Sequence, residues 1–139
     1  MITEDYVSFE IAKLLKEKGF NEETEHELWY ATKQFSTGCH WNSCTYKVGD
    51  ITREYNDDCC IPMPTLQMAC KWLREVHKLN IEFILNQYVQ NEETVIKNYY
   101  HFNVSRLDRF ANEGGDCKFY NSYEEAVENA IKYCLENLI

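Results

Sequence analysis

Glycine and proline are scarce in this chain, five and two among 139 residues, which leaves little material for a long flexible linker. Missing too is any apolar run near the ~20 residues that span a bilayer. The acidic opening MITEDYVSFE has no apolar signal core, so a cytoplasmic protein is expected. Basic residues number 14 against 23 acidic ones, for a formal net charge of −9, and they form no cluster. That sign repels a phosphate backbone and an anionic membrane surface, so neither a nucleic acid nor a membrane is expected as a partner. No GxGxxG, P-loop or nucleophile-elbow signature is present, and no catalytic residue is assigned.

What is present suits one small α+β domain over residues 1–139. Hydrophobic residues make up 45% of the chain, enough for a core and too much for disorder. The seven cysteines are an odd number, which fits reduced thiols better than a disulfide framework. Ten Tyr, seven Phe and three Trp exceed what a core of this size needs, so some rings are expected at the surface.

Periodicity predicts a helix over 9–18, with Ser8 as N-cap, Ile11, Leu14 and Leu15 on its apolar stripe, and Gly19 then Phe20 closing a Schellman ending. LWYATKQF (28–35) and SCTYKVG (43–49) read as strands of one hairpin around a turn at 36–42, and 50–58 as a short strand or a loop. A second helix opens after Pro62 and Pro64, with Thr65 as a candidate cap. It carries Leu66, Ala69, Cys70, Leu73, Val76 and His77 along one stripe and ends at Asn80. IEFILNQYV (81–89) and TVIKNYYHFNV (94–104) predict a second hairpin. In its later strand Ile96, Tyr100, Phe102 and Val104 share one face, and Tyr99, His101 and Asn103 the other. NEGGD (112–116) reads as a turn between weak strands at 106–110 and 117–120. Ser122 and Glu125 form a capping box for a last helix whose stripe is Ala126, Val127, Ala130, Ile131, Cys134 and Leu138. The order is α-β-β-α-β-β-(β)-α. Hairpins dominate, so the expected fold is an antiparallel sheet with three helices mainly on one face.

YVSFEIAKLLKEKGF (6–20), IPMPTLQMACKWLREVH (61–77) and SYEEAVENAIKYCLENLI (122–139), taken together, resemble a family of small uncharacterised proteins of gut Bacteroidales and their phages and mobile elements. The resemblance implies a bacterial or phage cytoplasm and a shared helical scaffold. It carries no catalytic residues.

Zinc is the only cofactor to weigh. Cys39, His40, Cys44, Cys59 and Cys60 offer its preferred ligand types in a C-H-x3-C-x14-C-C pattern. That pattern lacks paired C-x2-C knuckles, and neighbours such as Cys59 and Cys60 face opposite ways when extended, so small buried thiols are the expectation and a structural zinc site the alternative. Cys39 beside His40 is not by itself a catalytic dyad. His77 is expected to sit at a helix end against backbone carbonyls.

The surplus aromatics are the stronger lead. Trp29, Trp41, Tyr46, Tyr99 and His101 are the candidate interface residues, on a sheet face that helices leave open. Rings stacking across strands to stabilise the sheet are the competing account. The expected function is a non-enzymatic protein-binding accessory domain that docks a protein partner or pairs as a homodimer. The alternative is a small-molecule site or minor enzyme built around Tyr99 and His101.

Overall fold

The computed structural model describes residues 1–22, 24, 26–29, 35–37, 45–48, 51–54, 60–90 and 95–139, with side chains for 1–22, 24, 61–89 and 95–139. It is an α+β protein with antiparallel strands. The chain divides into two compact units, Met1–Thr65 and Leu66–Ile139.

The first unit opens with helix α1, Phe9–Glu17. It starts where the Ser8 hydroxyl accepts the Ile11 amide at 3.3 Å. It stops at Gly19, whose φ of 93° costs a residue without Cβ little. The Phe20 amide then reaches back to the Leu15 carbonyl at 2.9 Å, the 6→1 bond of the expected ending, and both side chains are buried.

Strands β1 (His26–Trp29), β2 (Phe35–Thr37), β3 (Thr45–Val48), β4 (Ile51–Glu54) and β5 (Cys60–Pro62) follow. β1 lies between β2 and β5 in one antiparallel sheet, and β3 pairs with β4 in another. The expected hairpin of 28–35 with 43–49 is therefore corrected: His26 pairs with Thr37 and Leu28 with Phe35, while Val48 pairs with Ile51. Only Gly49 and Asp50 separate that last pair in sequence, a two-residue hairpin signal that the reading of 50–58 passed over. The core of this unit gathers Val7, Ile11, Ala12, Leu15, Phe20, Ile61 and Met63. Buried Thr24 accepts the Met63 amide through its hydroxyl at 3.3 Å.

The second unit begins with α2, Leu66–Val76, directly after Thr65. Its buried side chains are Leu66, Ala69, Trp72 and Leu73. Val76, expected on the stripe, is 55% exposed. The helix ends earlier than Asn80 because Lys78 adopts a left-handed φ of 59°. Strand β6, Leu79–Gln90, then starts two residues sooner than expected. β6 pairs along its whole length with β7, Val95–Arg106, from Leu79 against Arg106 to Gln90 against Val95.

The third strand of this sheet, β8, is Asn112–Gly114. It lies inside the segment expected to turn, and the weak strand expected at 106–110 is instead a set of bends after Arg106. Of 117–120 only Tyr120 pairs, bridging Tyr100. The two glycines of this segment serve different ends: Gly114 takes a left-handed φ of 73°, and a Cβ on Gly115 would run into the Phe102 carbonyl oxygen.

Helix α3, Tyr123–Asn137, starts where the Ser122 hydroxyl accepts the Glu125 amide at 3.1 Å. It buries Ala126, Val127, Ala130, Ile131, Cys134 and Leu135. Its Tyr123 meets Phe83 and Tyr100 edge-on, and its Tyr133 leans on Phe102. α2 packs on β6 and on α3, so two helices form one layer on this sheet. Arg106 ties the corner. Its Nε donates to Glu113 Oε1 at 2.8 Å, and its guanidinium reaches the Leu138 carbonyl at 3.3 Å. The Arg106 bond, aided by its charge and that of Arg109, holds the Glu113 carboxyl below the usual range.

Candidate binding surface

Strand alternation divides the β6–β7 ribbon into two faces. Toward the helices lie Leu79, Ile81 and Phe83 on β6 against Arg106, Val104 and Phe102 on β7. Leu79, Phe102 and Val104 are buried there. The other face carries Asn80, Glu82, Ile84, Asn86 and Tyr88 beside Val95, Lys97, Tyr99, His101, Asn103 and Ser105, and none of these is buried.

On this open face the side chains engage one another diagonally. The rings of Tyr88 and Tyr99 stack with centroids 5.0 Å apart and planes 12° from parallel. A hydrogen bond with Tyr99, with some burial and the neighbouring phenol's charge, raises the Tyr88 pKa above its usual value. Asn86 Nδ2 lies 2.6 Å from His101 Nδ1. The amide nitrogen can only donate, so in this contact His101 accepts at Nδ1. Phe119 meets the His101 ring edge-on at 5.4 Å.

Beyond Phe83 and Tyr100, where Tyr123 marks the first turn of α3, the ribbon continues toward Gln90 and Val95. There both faces carry exposed apolar side chains. Ile84, Leu85, Tyr88, Val89, Val95 and Ile96 are between 39% and 63% exposed. Neighbouring residues of a strand point to opposite sides, so the pairs Ile84–Leu85, Tyr88–Val89 and Val95–Ile96 put one large apolar group on each face. A search for period-two alternation passes over such doublets because it looks for one apolar side only.

Of the candidate interface residues, Tyr99 and His101 come together on the open face. Trp29 and Tyr46 belong to different sheets of the first unit, on β1 and β3; their side chains and all of Trp41 lie outside the described residues. Tyr100, counted among the surplus rings, faces Tyr123 on the helix side. Cys39, His40, Cys44 and Cys59 lie outside the described residues; Cys60 pairs with Trp29 through β5, its side chain not described. Among the described residues no three His, Cys, Asp or Glu side chains gather as a metal would require, and no helix is long and apolar enough to cross a membrane.

Burial pushes the Cys70 thiol up to about 11 and the Cys134 thiol up to about 12, which makes them poor nucleophiles. His77 differs from its expected role. Its ring stands edge-on to Trp72 at 4.5 Å, and among the described residues its Nε2 is buried without a hydrogen-bond partner. Burial, then the nearby charge of Arg106, lowers its pKa.

Comparison with protein-family models, curated proteins and solved structures yields no match.

Proposed function

We propose that this protein is a non-enzymatic binding module whose contact surface is the outer half of the β6–β7 ribbon. One observation carries the reading: six large apolar side chains stand exposed on both faces where the ribbon continues past Tyr123. Exposed apolar side chains of this number in a chain of net charge −9 are costly to leave in water and suit protein contact. The Tyr88–Tyr99 stack supplies a stiff aromatic platform of the kind that anchors interfaces. An accessory role in a bacterial or phage cytoplasm belongs to the same proposal and rests on the resemblance of the three helical segments.

Affinity capture from bacterial cytosol tests this, comparing the native chain with a Tyr88→Ser, Ile96→Ser double variant. Specific proteins, a second copy of the chain included, are expected on the native chain and lost on the variant. Capture that ignores both substitutions overturns the reading.

A further inference from the structure

We infer that the partner is a second copy of this chain, joined through the outer edge of β6 in a two-fold antiparallel pairing. The inference rests on the binding role proposed above and narrows it to one occupant. In the strand order β6-β7-β8, β6 has a single strand neighbour among the described residues. Every second residue of a strand points its N–H and C=O away from that neighbour, so an edge twelve residues long offers a ladder of main-chain groups.

Natural edges of this length are blunted by proline, lysine, a bulge or an inward charge. β6, LNIEFILNQYVQ, has no proline, lysine, arginine or glycine, and Glu82 is its one charged residue. The opposite side of the ribbon is treated differently. β8 and the Tyr100–Tyr120 bridge occupy the outer side of β7 near its C-terminal half, and Lys97 stands in the part that remains.

Charge selects the occupant. Two copies at −9 each repel one another, so they can meet only along a neutral strip, and β6 is one. A basic partner would look for carboxylates, and this edge offers one. With the axis at Asn86, Asn86 faces its own copy, Leu85 lies across from Gln87, Ile84 from Tyr88, Phe83 from Val89, and Glu82 from the neutral Gln90. No like charges oppose each other, and paired residues share a face, as sheet geometry requires.

In this register the nine residues 82–90 are paired; at ~3.4 Å each they give a shared edge about 30 Å long, which with a sheet thickness of about 10 Å covers roughly 300 Å² per copy. The overlapping flanks of Ile84, Leu85, Tyr88 and Val89, all exposed, extend it toward the ~800 Å² per partner of a specific interface. A dimer with a dissociation constant on the order of 10 µM is expected from an interface at this lower end.

Sedimentation velocity across about 1 to 300 µM tests it on the full chain, with circular dichroism confirming that each variant is folded. The native chain is expected to pass from monomer to dimer. Leu85→Lys and Val89→Lys are expected to weaken the dimer at least tenfold, although each makes the chain less negative. Phe110→Lys, fully exposed beyond the end of β7 and outside the proposed contact surface, is expected to leave it within about twofold. A monomer at all concentrations, or a dimer indifferent to both β6 substitutions, overturns the inference. A monomer that still captures another protein through Tyr88 and Ile96 overturns the self-pairing and leaves the binding role standing. A monomer without such capture removes both.

Discussion

Tyr88 and Tyr99 lie face to face across the ribbon, 5.0 Å between ring centroids, and the hydrogen bond with Tyr99 holds the Tyr88 phenol in its neutral form. Ultraviolet titration of the phenols checks this. Native protein is expected to show one tyrosine ionising above the ordinary value of 10.0 on account of this pair. Tyr99→Phe removes the hydroxyl and should return Tyr88 toward that value while the stack persists. An unchanged titration curve would contradict the pairing.

The three cysteines with described side chains should separate by reactivity. Cys117 is exposed, whereas Cys70 and Cys134 are free thiols displaced upward by burial to about 11 and about 12. A maleimide at neutral pH is expected to label Cys117 rapidly and the other two only after unfolding. Peptide mapping by mass spectrometry reads the order directly. Early labelling of Cys134 would mean that α3 is not seated as described.

His77 couples stability to pH. Its folded pKa lies below the ordinary 6.5, from burial first and from Arg106 second. The unfolded chain therefore binds the proton more readily. The contribution is fully present above about 6.5 and is lost as pH falls from there toward the folded pKa. Denaturant melts between pH 7.5 and 5 should show the native chain losing more stability than His77→Phe, about those pH limits. An NMR titration placing His77 at or above 6.5 would refute the assignment.

Burial predicts a sharp contrast between two isoleucines. Ile131 is fully buried and Ile96 is 61% exposed. Ile131→Ala is expected to cost about 2–5 kcal/mol, and Ile96→Ala no more than about 0.5 kcal/mol, by chemical denaturation of the monomer. Comparable losses would mean that the ribbon end is packed after all.

The helices were legible because their signals are local. Ser8, Gly19 and the Ser122–Glu125 pair fix chain direction within one turn, and the structure uses each of them. The β6–β7 hairpin was legible because 94–104 alternates cleanly. Other parts depended on distant partners. Leu28 pairs with Phe35 and with Ile61, and a short aromatic run fits many neighbours equally well. Gly114 and Gly115 look like a turn in sequence, and Gly115 is needed for contact with a backbone that the sequence alone does not bring near. Of the candidate site, Tyr99 and His101 were read correctly onto one face. The apolar doublets went unnoticed because they matter only once the helices stop at Tyr123.

Between the last residue of α2, Val76, and the first of β6, Leu79, stand only His77 and Lys78. The His77 amide is bonded to Leu73, and the Lys78 carbonyl accepts the Leu107 amide at 2.8 Å, so this junction has no slack. A twelve-residue strand gives a stiff arm about 40 Å long. Anything that tilts its far end must apply torque at the root of α2, where Trp72 and Leu73 are wedged.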